Sequence, residues 1–164
     1  MSYIRFAAMI ATSTIAMFAF MYLNTWDADH IFFSQTRSWM ALLMGAGMAV
    51  IMIGFMWKMY PSTKVNIAIL AIGVLVFGMS LWLVRSQRTV TDLSYMRAMI
   101  PHHSIAIMTS DRAHIRDPRV RKLADAILQA QVREIDEMTK LIAELEIKPP
   151  PTDAPRLPPQ QVGQ

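Results

Sequence analysis

Cysteine is absent from all 164 residues, which excludes disulfides and thiolate metal sites and leaves methionine, histidine and carboxylates as the candidate metal ligands. Charge is scarce as well. Only 17% of the residues are charged and 54% are hydrophobic, with a mean hydropathy of +0.31, a balance that favours a membrane over a small soluble globule. The net charge of +4 comes from bases interleaved with acids rather than gathered in a stripe, so nucleic-acid binding has no support.

Three stretches, 6–23, 39–57 and 65–84, hold no charged residue at all. Each approaches the roughly 20 residues that cross about 30 Å of hydrocarbon. The first follows Arg5 but is long for a signal-peptide core, and no small-x-small cleavage pattern precedes Trp26-Asp27-Ala28-Asp29-His30, so it reads as an uncleaved anchor. Alanines in the first span, Gly45, Ala46, Gly47 and Gly54 in the second, and Ala68, Ala71, Gly73 and Gly78 in the third allow the close backbone approach by which helices associate in lipid.

Arg5, Lys58 and Lys64 fall on one side of these spans, and Arg37 lies in the first loop beside Asp27 and Asp29. The positive-inside tendency places the amino terminus in the cytoplasm and sends the remainder across. Arg85 and Arg88 argue the other way. The expected location is the inner (cytoplasmic) membrane, with the carboxy-terminal domain periplasmic or extracellular.

After the membrane region, 89–114 reads as an amphipathic helix starting near Thr91 or Asp92, although nothing between Val84 and Ile100 forbids one helix continuous with the third span. Pro101 should bend that helix or open the first turn of a new one. Ile115-Arg116-Asp117-Pro118 is a turn, with Asp117 as N-cap and Pro118 at the first helical position. A second helix then runs from Pro118 to about Ile147. Its seam is Val120, Leu123, Ala124, Ile127, Gln131, Ile135, Met138, Ile142 and Leu145, which requires a partner helix, and the short connection makes the preceding helix that antiparallel partner.

The expected fold is therefore all-α: three transmembrane helices (1–88), an antiparallel two-helix hairpin (89–148), and a disordered Pro-rich tail (149–164) holding six of the nine prolines. One hairpin buries little surface, so a second copy of the chain is the simplest way to complete its core.

Met99 and His103 are four residues apart and share a helix face, with His102 on the neighbouring edge. A thioether between imidazoles suits copper, and soft sulfur favours Cu(I). The same histidines read equally well as polar core residues. Counting back from the turn brings Glu134 and Met138 opposite the cluster, where a carboxylate can orient an imidazole or bind metal, or serve as a surface charge. Met40, Met44, Met48, Met52 and Met56 form a further stripe in the second span, more economically explained as flexible filler than as a cation path.

The run Asp92-x-x-Tyr95-x-x-x-Met99-Ile100-Pro101-His102-His103-x-x-Ala106-Ile107-Met108, with Leu123-Ala124-x-x-Ile127-x-x-x-Gln131-x-x-Glu134-Ile135-x-x-Met138 after it, resembles the domain of unknown function 305 family. That resemblance implies a ferritin-like helical bundle and an association with copper in the bacterial envelope. It implicates Met99, His102, His103 and Met138 as ligands, with Asp92 and Glu134 as supporting polar positions. The leading expectation is a membrane-anchored copper-binding protein, holding chiefly Cu(I) for envelope sequestration or handover to a donor or acceptor protein. The alternative is a non-catalytic homomeric membrane protein whose hairpin is a structural or interaction module. No feature identifies an organic substrate pocket, and catalysis is not expected.

Overall fold

Each helix begins where a side chain takes over an orphan backbone donor. In the computed structural model, which describes residues 2–151 and 153–158, five α-helices run α1 (Tyr3–Phe20), α2 (Gln35–Phe55), α3 (Thr63–Ser86), α4 (Asp92–Arg112) and α5 (Pro118–Ile147), with short 3-10 turns at Ala28–His30 and Trp57–Met59. Ser2, Ser34, Ser62, Thr91 and Asp117 cap the five in turn, accepting from Ile4, Arg37, Val65, Ser94 and Arg119. Such caps are worth about 1 kcal/mol each. Among the described residues no strand occurs.

Helices α1, α2 and α3 are long and apolar enough to cross a membrane. Helix α2 is central, packing on both neighbours, and small residues set the approach. A Cβ on Gly73 would lie 2.7 Å from Cγ2 of Val50, and one on Gly45 would collide with Thr14. At the end bearing the amino terminus, the Tyr3 hydroxyl lies 2.9 Å from Oδ1 of Asn66 and accepts from the Ser62 amide. Asn66, 1% exposed, donates in turn to the Trp57 carbonyl. Tyr60 stacks on Tyr3 and meets Phe6 edge-on. Arg37, expected in the first loop, falls inside α2, where its guanidinium covers the Tyr22 ring at 4.3 Å and donates to the Met21 carbonyl.

Helices α3 and α4 are separate. Gln87 takes a left-handed conformation (φ 51°) and caps α3, while Thr91 and Ser94 form a reciprocal capping box that restarts the chain as α4. The continuous-helix option is thereby overturned, α4 starts at Asp92 behind the Thr91 cap as expected for a separate helix, and it ends at Arg112, short of the expected His114. Pro101 does not open a new helix either. It lies inside α4 and is fully buried, where its missing N–H leaves the Arg97 carbonyl without the usual intrahelical partner.

Helices α4 and α5 pair antiparallel as expected. Arg97 meets Glu146 at one end of the pair, and Arg121 donates to the Ser110 carbonyl at the other. Met96, Ile100 and Ile107 pack against Ile135 and Ile142 between these points. The observed seam on α5 is only partly the expected one. Ala124, Ile135 and Ile142 are buried, and Met138, Leu145 and the unforeseen Leu128 pack beside them, but Val120, Leu123 and Ile127 are 51%, 61% and 40% exposed.

The hairpin does not hang free. Phe32, from the α1–α2 connection, packs into its core. Ser104, fully buried on α4, accepts from the Trp26 amide at 2.7 Å and lies 2.9 Å from Nδ1 of His30, and Arg112 covers the Trp26 ring. Helix α4 therefore packs against the α1–α2 connection and α2 rather than standing apart from them. The expected disordered tail falls partly on residues 152 and 159–164, which lie outside the described residues; no helix occurs in the described part.

Candidate functional site

Helical periodicity stacks Asp92, Met99 and His103 along one edge of α4. The antiparallel partner brings Glu134 and Met138 on α5 to the same level. Together these five residues line one cleft of about 560 Å³, with Tyr95, Glu137 and Leu141 among its other walls. Five of the six expected residues are thus brought together, four of them from helix faces that periodicity alone could pair.

His103 is the chemical centre of this cleft. Its side chain is 13% exposed, and Nδ1 lies 3.2 Å from Oε2 of Glu134, within reach of an ion pair were the ring protonated. The alignment does not make a hydrogen bond, so Nδ1 is a buried polar atom without one. Burial is the main cause that lowers the His103 pKa, the Glu134 carboxylate partly opposes it, and His102 lowers it further. The net effect favours the neutral ring. A neutral imidazole with an unsatisfied nitrogen, beside two thioethers, is equipped to accept a soft cation.

His102 is not part of this arrangement. Adjacent residues on a helix point about 100° apart, and the two imidazole centroids are 6.0 Å apart and tilted. The exposed His102 ring turns to the membrane side of α4, into a second cavity of about 370 Å³ lined also by Met21, Arg37 and Met40. Met99 borders both cavities. The methionine stripe is divided in the same way: Met40 reaches this cavity, while Met52 and Met56 pack against the Phe6, Ile53 and Tyr60 cluster.

Among the described residues, no three His, Cys, Asp or Glu side chains converge as a metal site. A site in the cleft would therefore draw on sulfur. Sequence reasoning missed Trp26, His30, Phe32 and Ser104, which set α4 on the membrane helices. The aromatic and His residues of the first loop were visible, but nothing in their spacing ties them to a serine more than seventy positions later.

The family model described as Domain of unknown function (DUF305) matches residues 91–161, the region holding both walls of the cleft. "Uncharacterized protein L153" of Acanthamoeba polyphaga mimivirus is 30% identical over 151 residues, covering 86% of this chain and 95% of that protein. The chain belongs to the DUF305 family. The likeness to the viral protein is too long to lie within the DUF305 domain alone, so it takes in part of the apolar helical region as well. No solved structure matches the chain.

Proposed function

We propose that this protein is a membrane-anchored copper-binding protein that holds Cu(I) in the cleft between α4 and α5, for sequestration or for handover to another protein. The observation that carries the reading is that Met99, Met138 and His103 line one cleft, with the buried Nδ1 of His103 making no hydrogen bond although Glu134 stands 3.2 Å from it. Two thioethers and one neutral imidazole form a soft donor set, which favours Cu(I) over zinc or a hard cation. Glu134, half exposed at 50%, stands at the imidazole's edge, where a carboxylate orients a ligating ring and offsets the cation's charge. Asp92 lies at the amino-terminal end of α4 on the same cleft and adds negative charge to it. The cleft opens to solvent, which suits exchange with a donor or acceptor. In this reading the chain binds and passes on its metal without turnover, and the three apolar helices fix it in the inner (cytoplasmic) membrane with the hairpin on the outer side.

His102 has a different place in this proposal from the one its motif suggests. It belongs to the membrane-side cavity and is not required for the primary site. The test is anaerobic Cu(I) loading of detergent-purified protein followed by metal analysis. Wild type and His102→Ala should retain copper, whereas the Met99→Ala, His103→Ala, Met138→Ala triple variant should lose most of it. Equal retention by the triple variant, or a preference for zinc under reducing conditions, overturns the reading.

A further inference from the structure

Helix α5 leaves apolar side chains exposed on the side that leads to the mouth of the cleft. Val120, Leu123 and Ile127 are exposed to 51%, 61% and 40%, and Leu141, 41% exposed, extends the row past Met138. Steps of three and four residues join Val120, Leu123 and Ile127, and Leu141 falls on the same side of α5 fourteen residues on, with Gln131 and the half-exposed Glu134 between them, beside the face that packs on α4. Exposed apolar side chains that no element covers among the described residues are the pattern of a helix face that takes a partner helix.

Charge along α5 identifies that helix. Its first part carries Arg119, Arg121 and Lys122 against the single acid Asp125. Its last part carries Glu134, Asp136, Glu137, Glu144 and Glu146 against Arg133 and Lys140. A second α5 laid parallel would set basic end on basic end and acidic end on acidic end. Laid antiparallel, it pairs opposites, with Arg119 and Lys122 of one copy near the level of Glu144 and Glu137 in the other. Matching the ends of the stripe, Val120 to Leu141, centres the pair at Ala130 and Gln131, where the small alanine permits close approach.

A two-fold pair must also leave both anchors inserted in the same sense, and an antiparallel α5 pair does so when the two helices lie side by side in the membrane plane with the axis along the bilayer normal.

We infer that a second copy of this chain docks on the open side of the hairpin, α5 against α5 in antiparallel register, completing a four-helix unit and covering the mouth of the Met99–His103–Met138 cleft. The covering of a copper site rests on the function proposed above; the interface does not.

The natural absence of cysteine makes the test clean. Val120→Cys and Leu141→Cys variants are produced separately and together in membranes, kept free of metal, and treated with a short bis-maleimide. Antiparallel register brings position 120 of one copy against 141 of the other, while like positions are about 30 Å apart. Cross-linked dimer should therefore form when the two variants are co-expressed and not from either alone. Cross-linking of either variant with itself overturns the register, and no cross-linking in the mixture shows that the face is free or covered by something else and overturns the interface. If the mixture cross-links while the wild-type protein fails to retain Cu(I) in the separate anaerobic loading, the metal reading is refuted and the interface stands.

Discussion

At the level of single residues, His103 shows how burial sets chemistry. Its pKa lies below the ordinary histidine value, chiefly because the charged ring would lose solvation, with His102 adding to the effect and Glu134 opposing it. The unfolded chain therefore takes up a proton at higher pH than the folded chain. Stability conferred by the neutral ring is fully present above about pH 6.5 and declines as pH falls below that value toward the lowered pKa. Thermal unfolding of the metal-free protein should give a lower Tm at pH 5.5 than at pH 7.5, and His103→Gln should remove part of that difference. An unchanged difference would mean that His103 does not titrate in this window. Ser104 is the second residue of consequence. Ser104→Val removes the acceptor for the Trp26 amide and the contact to His30, and an unsatisfied buried donor costs about 1–3 kcal/mol. Limited proteolysis of the α1–α2 connection should accelerate in this variant.

Among the elements, α4 and α5 hold together through a compact apolar core. Ile100 is 0% exposed, so Ile100→Ala should cost about 2–5 kcal/mol through lost burial and the cavity left behind, read as a lower Tm for the hairpin. In the membrane part the limit is space rather than burial. Gly73→Leu would drive a side chain into Val50 and should loosen the α2–α3 pair, whereas Gly78→Leu, with no neighbour within 4 Å of its Cβ position, should be accepted. Thermal stability in detergent separates the two, and equal loss from both would mean that α2 and α3 do not pack through Gly73. Pro101 shows why an element's limits are hard to read from sequence. A proline normally marks a helix boundary, but here the turns on both sides are held by Met96, Ile100 and Ile107 in the shared core, and tertiary burial outweighs the lost hydrogen bond.

For the molecule as a whole, the anchor and the hairpin share a core rather than a linker. Phe32 packs among the hairpin's apolar residues, and the membrane-side cavity is walled by α4, the α1–α2 connection and α2 together. Residues 89–148 produced without the anchor should be less stable than the same hairpin in the full chain, since they lose Phe32 and the Trp26–Ser104 bond. Circular dichroism melting of the fragment against the intact protein checks this. Phe32→Ala in the full chain should shift the hairpin's melting in the same direction.

Periodicity, caps and breakers are local, and so the sequence alone determined the three apolar helices, the turn at Asp117-Pro118, the extent of α5 and the antiparallel pairing that sets Met99 and His103 opposite Glu134 and Met138. These features depend on which residues stand within a few positions of one another. The separation of His102 from His103 was also implicit in the 100° step between helical neighbours, but which side each would face required knowing where α5 and α2 lie. The continuity of α4 through Pro101, the reach of Phe32, Trp26 and His30 onto α4, and the exposure of Val120, Leu123 and Ile127 were decided only in three dimensions. Each depends on contacts between segments far apart in the chain, whose free energy no local pattern records.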